Sequence, residues 1–296
     1  MGDYSSLRES RSRLKMNVRA SLALAGLILM SGPLVLTQVV ILRFWPARGQ
    51  RIPVWWHRIA SRLLGIQIRT HGRQITNRPV LFVSNHISWL DIVTLGATIK
   101  ASFISKSEVA NWGIFAFCAR MHRTVYIDRT RRSQSHNQRT ALEERFTEGN
   151  SVILFPEGTS TDGTIVKPFK SALFSAAERP LDGGKYDAKN GVPHYITVQP
   201  VTLSYVRVNG MPVGRAMRPK LAWYGDMELT DHVWEIMGMG RIDALVQFHE
   251  PVTIDAFGSR KAMAKACHES VSQGLMQAHR DGAGLVAPSG SEARPS

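Results

Sequence analysis

The chain opens on basic and polar residues and then turns almost wholly apolar from Ala20 to Leu42, a stretch without a charged side chain. As one helix it would reach about 35 Å, enough for a hydrocarbon core of about 30 Å. Ser31-Gly32-Pro33 falls near its middle. Proline breaks or kinks a helix and biases the residue before it away from helical geometry. The pattern therefore predicts two short apolar helices forming a hairpin rather than a single span. Val54 to Leu64 then places apolar and basic residues on opposite sides of a helix. Ile66 to Thr70 alternates like a half-buried strand, and Val80 to Ser84 is apolar enough for a fully buried one.

Further along, helices are expected over Asp91 to Ile99 and Trp112 to Met121, and strands over Ala101 to Ser105, Thr124 to Ile127 and Val152 to Phe155. Ser133 to Glu148 is polar and helix-compatible, with Gly149 as its C-cap. Ser171 to Ala177 reads as a helix, Ile196 to Val208 and Leu245 to Phe248 as strands, and Ser259 to Arg280 as a terminal helix. Leu181 to Pro193 has the composition of a surface loop. Such alternation predicts an α/β fold, a mixed sheet flanked by helices, behind an N-terminal membrane-embedded helical segment. The expected division is an anchor over 1–50, a catalytic domain over 51–257, a C-terminal helix over 258–280 and a disordered tail over 281–296.

Charge changes the picture next. The formal net charge is +14 over 296 residues, which suits an anionic membrane face or nucleic acid. Arg8, Arg11, Arg13, Lys15 and Arg19 precede the apolar stretch, and Arg43, Arg48, Arg51, Arg58 and Arg62 follow it. Positive charge marks the cytoplasmic side, so both ends belong there. Trp45, Trp55 and Trp56 stand where an interfacial aromatic belt would stand. The expected partner is the lipid bilayer, not nucleic acid, and the expected place is the cytoplasmic membrane with the catalytic domain facing the cytoplasm. Cys118 and Cys267 give no disulfide framework; Cys118, in an apolar helix, reads as core packing.

Four short blocks carry chemistry. Asn85-His86-Ile87-Ser88-Trp89-Leu90-Asp91 follows a strand. An imidazole can take a proton from a hydroxyl and return it, and a carboxylate on its other nitrogen fixes the tautomer. Residues five apart on a regular helix point about 140° away from each other, so a His86–Asp91 contact demands a bent turn. Tyr126-Ile127-Asp128-Arg129 brings a guanidinium, with Arg131 and Arg132 behind it, to a strand end. Such a group binds phosphate or carboxylate in two-point fashion. Phe155-Pro156-Glu157-Gly158-Thr159-Ser160 forces a tight loop that holds Glu157 at the sheet edge, and Lys167 and Lys170 follow. Val198-Gln199-Pro200-Val201 places a proline in a strand, predicting an edge, a bulge or a site-lining bend.

In this order and spacing, over about Ile52 to Pro251, the blocks resemble the glycerolipid acyltransferase family, which includes the 1-acyl-sn-glycerol-3-phosphate acyltransferases. The resemblance implies direct transfer of a fatty acyl group from an acyl carrier protein or coenzyme A thioester to the hydroxyl of a lysolipid. His86 would be the general base and Asp91 its orienting partner. Arg129, Glu157, Gly158, Thr159 and Lys170 would bind the acceptor, with Asn85, Ser160 and Pro200 lining the site. Neither a metal nor a bound cofactor is required; the thioester is a co-substrate. Many lysophosphatidic acid enzymes carry arginine after Glu-Gly-Thr, where this chain has Ser160. Pro168 to Phe174 and Trp223 to Met227 look similar to the lyso-ornithine lipid branch, whose acceptor has no phosphate. Both acceptors remain open at this point. The competing readings are a non-catalytic basic membrane binder and a thioester hydrolase that activates water with the same base.

Overall fold

The computed structural model describes residues 3–111, 113–127, 142–178 and 195–281. Among these, eight strands form one sheet in the order β1-β8-β6-β2-β5-β3-β4, with β7 on β6. They are β1 (Ile66–His71), β2 (Val80–Ser84), β3 (Ala101–Lys106), β4 (Val125–Ile127), β5 (Ser151–Leu154), β6 (Thr197–Val208), β7 (Met211–Pro212) and β8 (Ile242–Phe248). The run from β6 through β2, β5 and β3 to β4 is parallel, while β6 and β8 are antiparallel. Helices are α1 (Asp3–Phe44), α2 (Arg51–Leu63), α3 (Leu90–Thr98), α4 (Ile114–Met121), α5 (described over 142–147), α6 (Arg218–Leu221), α7 (Leu229–Met239) and α8 (Arg260–Asp281).

Central β2 is buried at every position, as expected for a strand covered on both faces. One face packs Phe82, Leu90, Leu95 and Val246 with α2, α3 and α7; the other packs Leu81, Val83, Leu154 and Phe174 with α8. The loops after β2 and β5 leave the carboxyl ends of adjacent parallel strands, where open α/β sheets place ligands.

Two expectations are corrected and one is narrowed. The N-terminal segment is one helix, α1, with Pro33 inside it, and not a hairpin. Docking overrides the break. Ser31 Oγ donates to the Leu27 carbonyl at 2.6 Å and accepts the Trp56 indole N–H at 2.9 Å. Trp234 Nε1 donates to Asn17 Oδ1, Arg19 donates to the Met237 and Gly240 carbonyls, and Gln38 donates to the Gly49 and Met121 carbonyls. From Asn17 to Gln38, about 30 Å of helix lies along the α/β domain. The outer face keeps Leu22, Ile28, Leu29 and Leu36 exposed, while Trp56 is turned inward beneath α1.

Of the three settings expected for Pro200, the edge is excluded and the bulge holds: it lies inside β6, flanked by β2 and β8, where the ladder shifts by one residue between Val201–Phe248 and Val198–Val252. His249 N–H donates to the Pro200 carbonyl at 3.0 Å, a pair that would ordinarily return a second bond from residue 200. Proline cannot donate it. The buried Gln199 side chain does so instead, giving Nε2–H to the His249 carbonyl at 2.9 Å. The second correction is Cys118, which is exposed on α4 rather than packed in the core. Arg129, the loop over Leu181 to Pro193 and the tail beyond Asp281 lie outside the described residues.

Candidate active site

His86 stands two residues past β2, and Asp91 lies in the first turn of α3. The segment between them is bent, as the five-residue spacing requires. His86 Nδ1 and Asp91 Oδ2 are 2.7 Å apart. The same oxygen accepts the backbone N–H of Ile87 at 2.6 Å and of Ser88 at 2.9 Å. One carboxylate thus folds the turn and orients the imidazole. Because a carboxylate only accepts, Nδ1 carries the proton and Nε2 is left as the acceptor. Nε2 has no partner among the described residues, and the side chain is 21% exposed, enough to meet a substrate. The ring lies flat on Phe155 at 4.2 Å between centroids.

Asp91 is wholly buried, and a residue that the sequence reading missed completes its environment. Tyr205 on β6 donates its hydroxyl to Asp91 Oδ1 at 2.8 Å. Burial first, and then the Asp91 charge, hold the Tyr205 hydroxyl well above the ordinary tyrosine range, so it stays a donor. The signal was a tyrosine on the buried face of a strand, since a buried phenol needs a partner for its hydroxyl. Asn85 is fixed to the same strand: its Nδ2 donates to the Leu203 carbonyl and its Oδ1 accepts Leu203 N–H, each at 2.9 Å.

The loop after β5 clamps the His86 backbone on both sides. Glu157 Oε1 accepts His86 N–H at 2.7 Å, and Thr161 N–H donates to the His86 carbonyl at 3.0 Å. Glu157 Oε2 accepts Lys167 N–H at 2.7 Å. Both Glu157 oxygens therefore face backbone amides, and its side chain is buried. Gly158 takes φ +77°, a left-handed turn that a residue with a Cβ resists. Thr159 and Lys170 are exposed along this loop, and Ser160 is half-buried. Trp223 N–H donates to the Ile87 carbonyl at 3.0 Å, tying the segment before α7 to the histidine turn. Pro200, paired with Val83, lies within the sheet below these loops.

Burial raises the Glu157 carboxyl to about 7, against the lowering effect of its two amide hydrogen bonds. The signs for activity and stability are opposite. Above about pH 7 the ionised group accepts both amides and holds the loop. Below it one oxygen takes up a proton, the clamp weakens, and activity falls. Stability from this group is full below the free value near 4.5 and is lost as pH rises through about 7. Glu157→Gln is expected to lower kcat roughly ten- to hundredfold with little change in acceptor KM. It also makes the acid limb of kcat/KM one proton less steep. A pH series of initial rates checks this, and an acceptor KM that rises while kcat holds would assign Glu157 to acceptor contact instead.

Comparisons with known proteins meet this geometry. A family model described as acyltransferase matches residues 67–204. A lyso-ornithine lipid O-acyltransferase of Brucella abortus is 40% identical over 261 residues, covering 88% of this chain and 95% of that protein. The chain belongs to the acyltransferase family. Among other acyltransferases, the lyso-ornithine lipid enzyme of Rhizobium meliloti is 36% identical, covering 86% of this chain and 85% of that protein. A 1-acyl-sn-glycerol-3-phosphate acyltransferase of Neisseria gonorrhoeae is 32% identical over 64% of this chain and 66% of its own. The solved 1-acyl-sn-glycerophosphate acyltransferase of Thermotoga maritima superposes with a TM-score of 0.62 at 17% identity, covering 91% of this chain and 97% of that one. That likeness shows the shared fold of a mixed sheet flanked by helices.

Proposed function

We propose that this acyltransferase moves a fatty acyl group from a carrier-protein or coenzyme A thioester to the free hydroxyl of lyso-ornithine lipid. The His86–Asp91 pair, with Nε2 left free, carries the reading. His86 Nε2 takes the acceptor proton as the oxygen attacks the thioester carbonyl carbon. The tetrahedral adduct collapses, the C–S bond breaks, and the imidazolium returns its proton to the leaving sulfur. A thioester is already activated, so a placed base and a held acceptor supply most of the acceleration. Thr159 and Lys170 border the acceptor head group, and Gly158 gives it close approach to backbone; Arg129 is assigned to the acceptor by its motif alone. Glu157 acts as a brace for the histidine turn.

Two observations favour the ornithine head group. Relatives matching most of this chain carry that acceptor in their names. Ser160 also stands where an arginine would supply a phosphate contact. Offered lyso-ornithine lipid and 1-acylglycerol 3-phosphate side by side, the enzyme is expected to prefer the first by about tenfold or more in kcat/KM, the scale of one lost charge-assisted hydrogen bond. Labelled thioester and product chromatography measure it. Preference for the phosphate acceptor would reject this reading. Free fatty acid formed faster than either lipid would point to the hydrolase.

The protein works from a membrane surface. α1 is long and apolar enough to cross a bilayer, yet it is docked against the catalytic domain along most of that length. A crossing would draw Arg19, Arg58 and α7 into hydrocarbon, where backbone and charge find no water. An α1 lying in one leaflet, with its exposed side in lipid and Trp45 and Trp55 at the interface, avoids that cost. The basic residues on either side of the apolar stretch 20–42 support a cytoplasmic face for the domain.

A further inference from the structure

The amino-terminal part of α1 packs Ala20 and Ala23 into the core cluster that also holds Leu64 and Ile66, while its Leu14, Val18 and Leu22 side stands off the end of α2 and the start of β1. An open groove of about 680 Å³ lies between these elements, within the size range of lipid and small-molecule sites. Leu14, Val18 and Leu22 form one wall, four residues apart and therefore stacked on one helix face. They are 64%, 50% and 68% exposed. Lys15, Arg62 and Arg241 stand around this wall, and no acidic residue lines the groove. The side chains of Lys15 and Arg62 are exposed and make no hydrogen bond or ion pair among the described residues. Arg241 shares Asp243 at 2.8 Å yet remains 54% exposed. Arg19 also lines the groove, but its guanidinium is committed to the end of α7.

Two unpaired cations, with Arg241 beside them, next to an exposed apolar wall fit an amphiphile with a negative head group. A polyanion without a tail would leave the leucine and valine wall bare, and a neutral lipid would leave the cations unpaired. We propose that this groove holds one anionic phospholipid of the membrane, its acyl chain along Leu14, Val18 and Leu22 and its phosphate among Lys15, Arg62 and Arg241. No residue of the histidine turn or of the Glu157 loop lines the groove, so the lipid is distinct from the acceptor. Its position at the amino end of the exposed side of α1 lets the lipid stay in its leaflet while bound. The proposal rests on the reading of α1 as seated in a membrane.

The test is co-flotation of the full chain with phosphatidylcholine vesicles, alone and with roughly one-fifth phosphatidylglycerol. Partition is expected to rise roughly tenfold or more with the anionic lipid. Lys15→Ala/Arg62→Ala should lose most of that gain while still floating with neutral vesicles. Arg11→Ala/Arg13→Ala removes equal charge outside the groove and should keep the gain. Inorganic phosphate at matched ionic strength should not displace the protein, which separates a lipid head group from free phosphate. Equal losses in the two double variants would mean diffuse surface attraction and overturn the site. So would equal partition of the unaltered chain into both vesicle types, or displacement by phosphate. Binding to neither vesicle would overturn the membrane seat and the site together.

Discussion

His86→Ala is expected to remove acyl transfer, with kcat down by about 10³-fold or more, at the upper part of the range for a positioned general base. The variant should keep its fold. The His86 backbone is clamped by Glu157 and Thr161 through its N–H and carbonyl, neither of which the substitution touches. What disappears is the ring on Phe155 and the bond to Asp91. Membrane flotation and melting temperature should therefore stay close to those of the unaltered chain. Rates with labelled thioester and lysolipid, measured beside flotation of the same preparation, check it. A His86→Ala enzyme that still transfers acyl groups would sink the assigned mechanism. A variant that loses both transfer and solubility would be repeated as His86→Gln, which preserves bulk but cannot cycle a proton.

That expectation was legible in the sequence because its carriers are local. The apolar run of β2, the histidine at its end and the aspartate five positions on form one short segment, and the contact between them needs only a turn. Their 2.7 Å approach, with Asp91 also collecting the Ile87 and Ser88 amides, is the form that such a turn takes. The hairpin failed for the opposite reason. Pro33 is a local signal, and it was outweighed by partners far along the chain, Trp56 on α2 and Trp234 on α7. Pro200 was legible in part: the bulge was among its expected settings, whereas its place in a central strand depends on Gln199 supplying the absent donor. Glu157 was found as a motif, but its ligands are two backbone amides that no side-chain pattern encodes. Tyr205 is separated from Asp91 by 114 positions, and only the closing of the sheet brings β6 beside the start of α3.

That last contact gives the second large effect. Asp91→Asn should lower kcat by about 10²- to 10⁴-fold, with acceptor and donor KM little changed. The buried site can keep its geometry. An amide can turn its oxygen toward His86 Nδ1–H and the Ile87 and Ser88 amides and its NH2 toward Tyr205, whose hydroxyl rotates to accept. The negative charge that stabilises the transient imidazolium is then missing, and the loss falls on the chemical step. Tyr205→Phe should act more weakly, lowering kcat roughly tenfold, because it removes one of four hydrogen bonds and leaves Oδ1 buried without a partner. Tyr205 is a positioning residue, so its effect must run through Asp91. The Asp91→Asn/Tyr205→Phe double variant should therefore be no slower than Asp91→Asn alone, since a residue that works only through a second one shows no independent loss once that one is changed. Losses that multiply would place Tyr205 in contact with substrate, and an unchanged kcat in Tyr205→Phe would leave the hydroxyl as packing. Steady-state rates of the three variants over a range of both substrates separate these outcomes, because a kcat effect at constant KM is what a fault in holding the base produces.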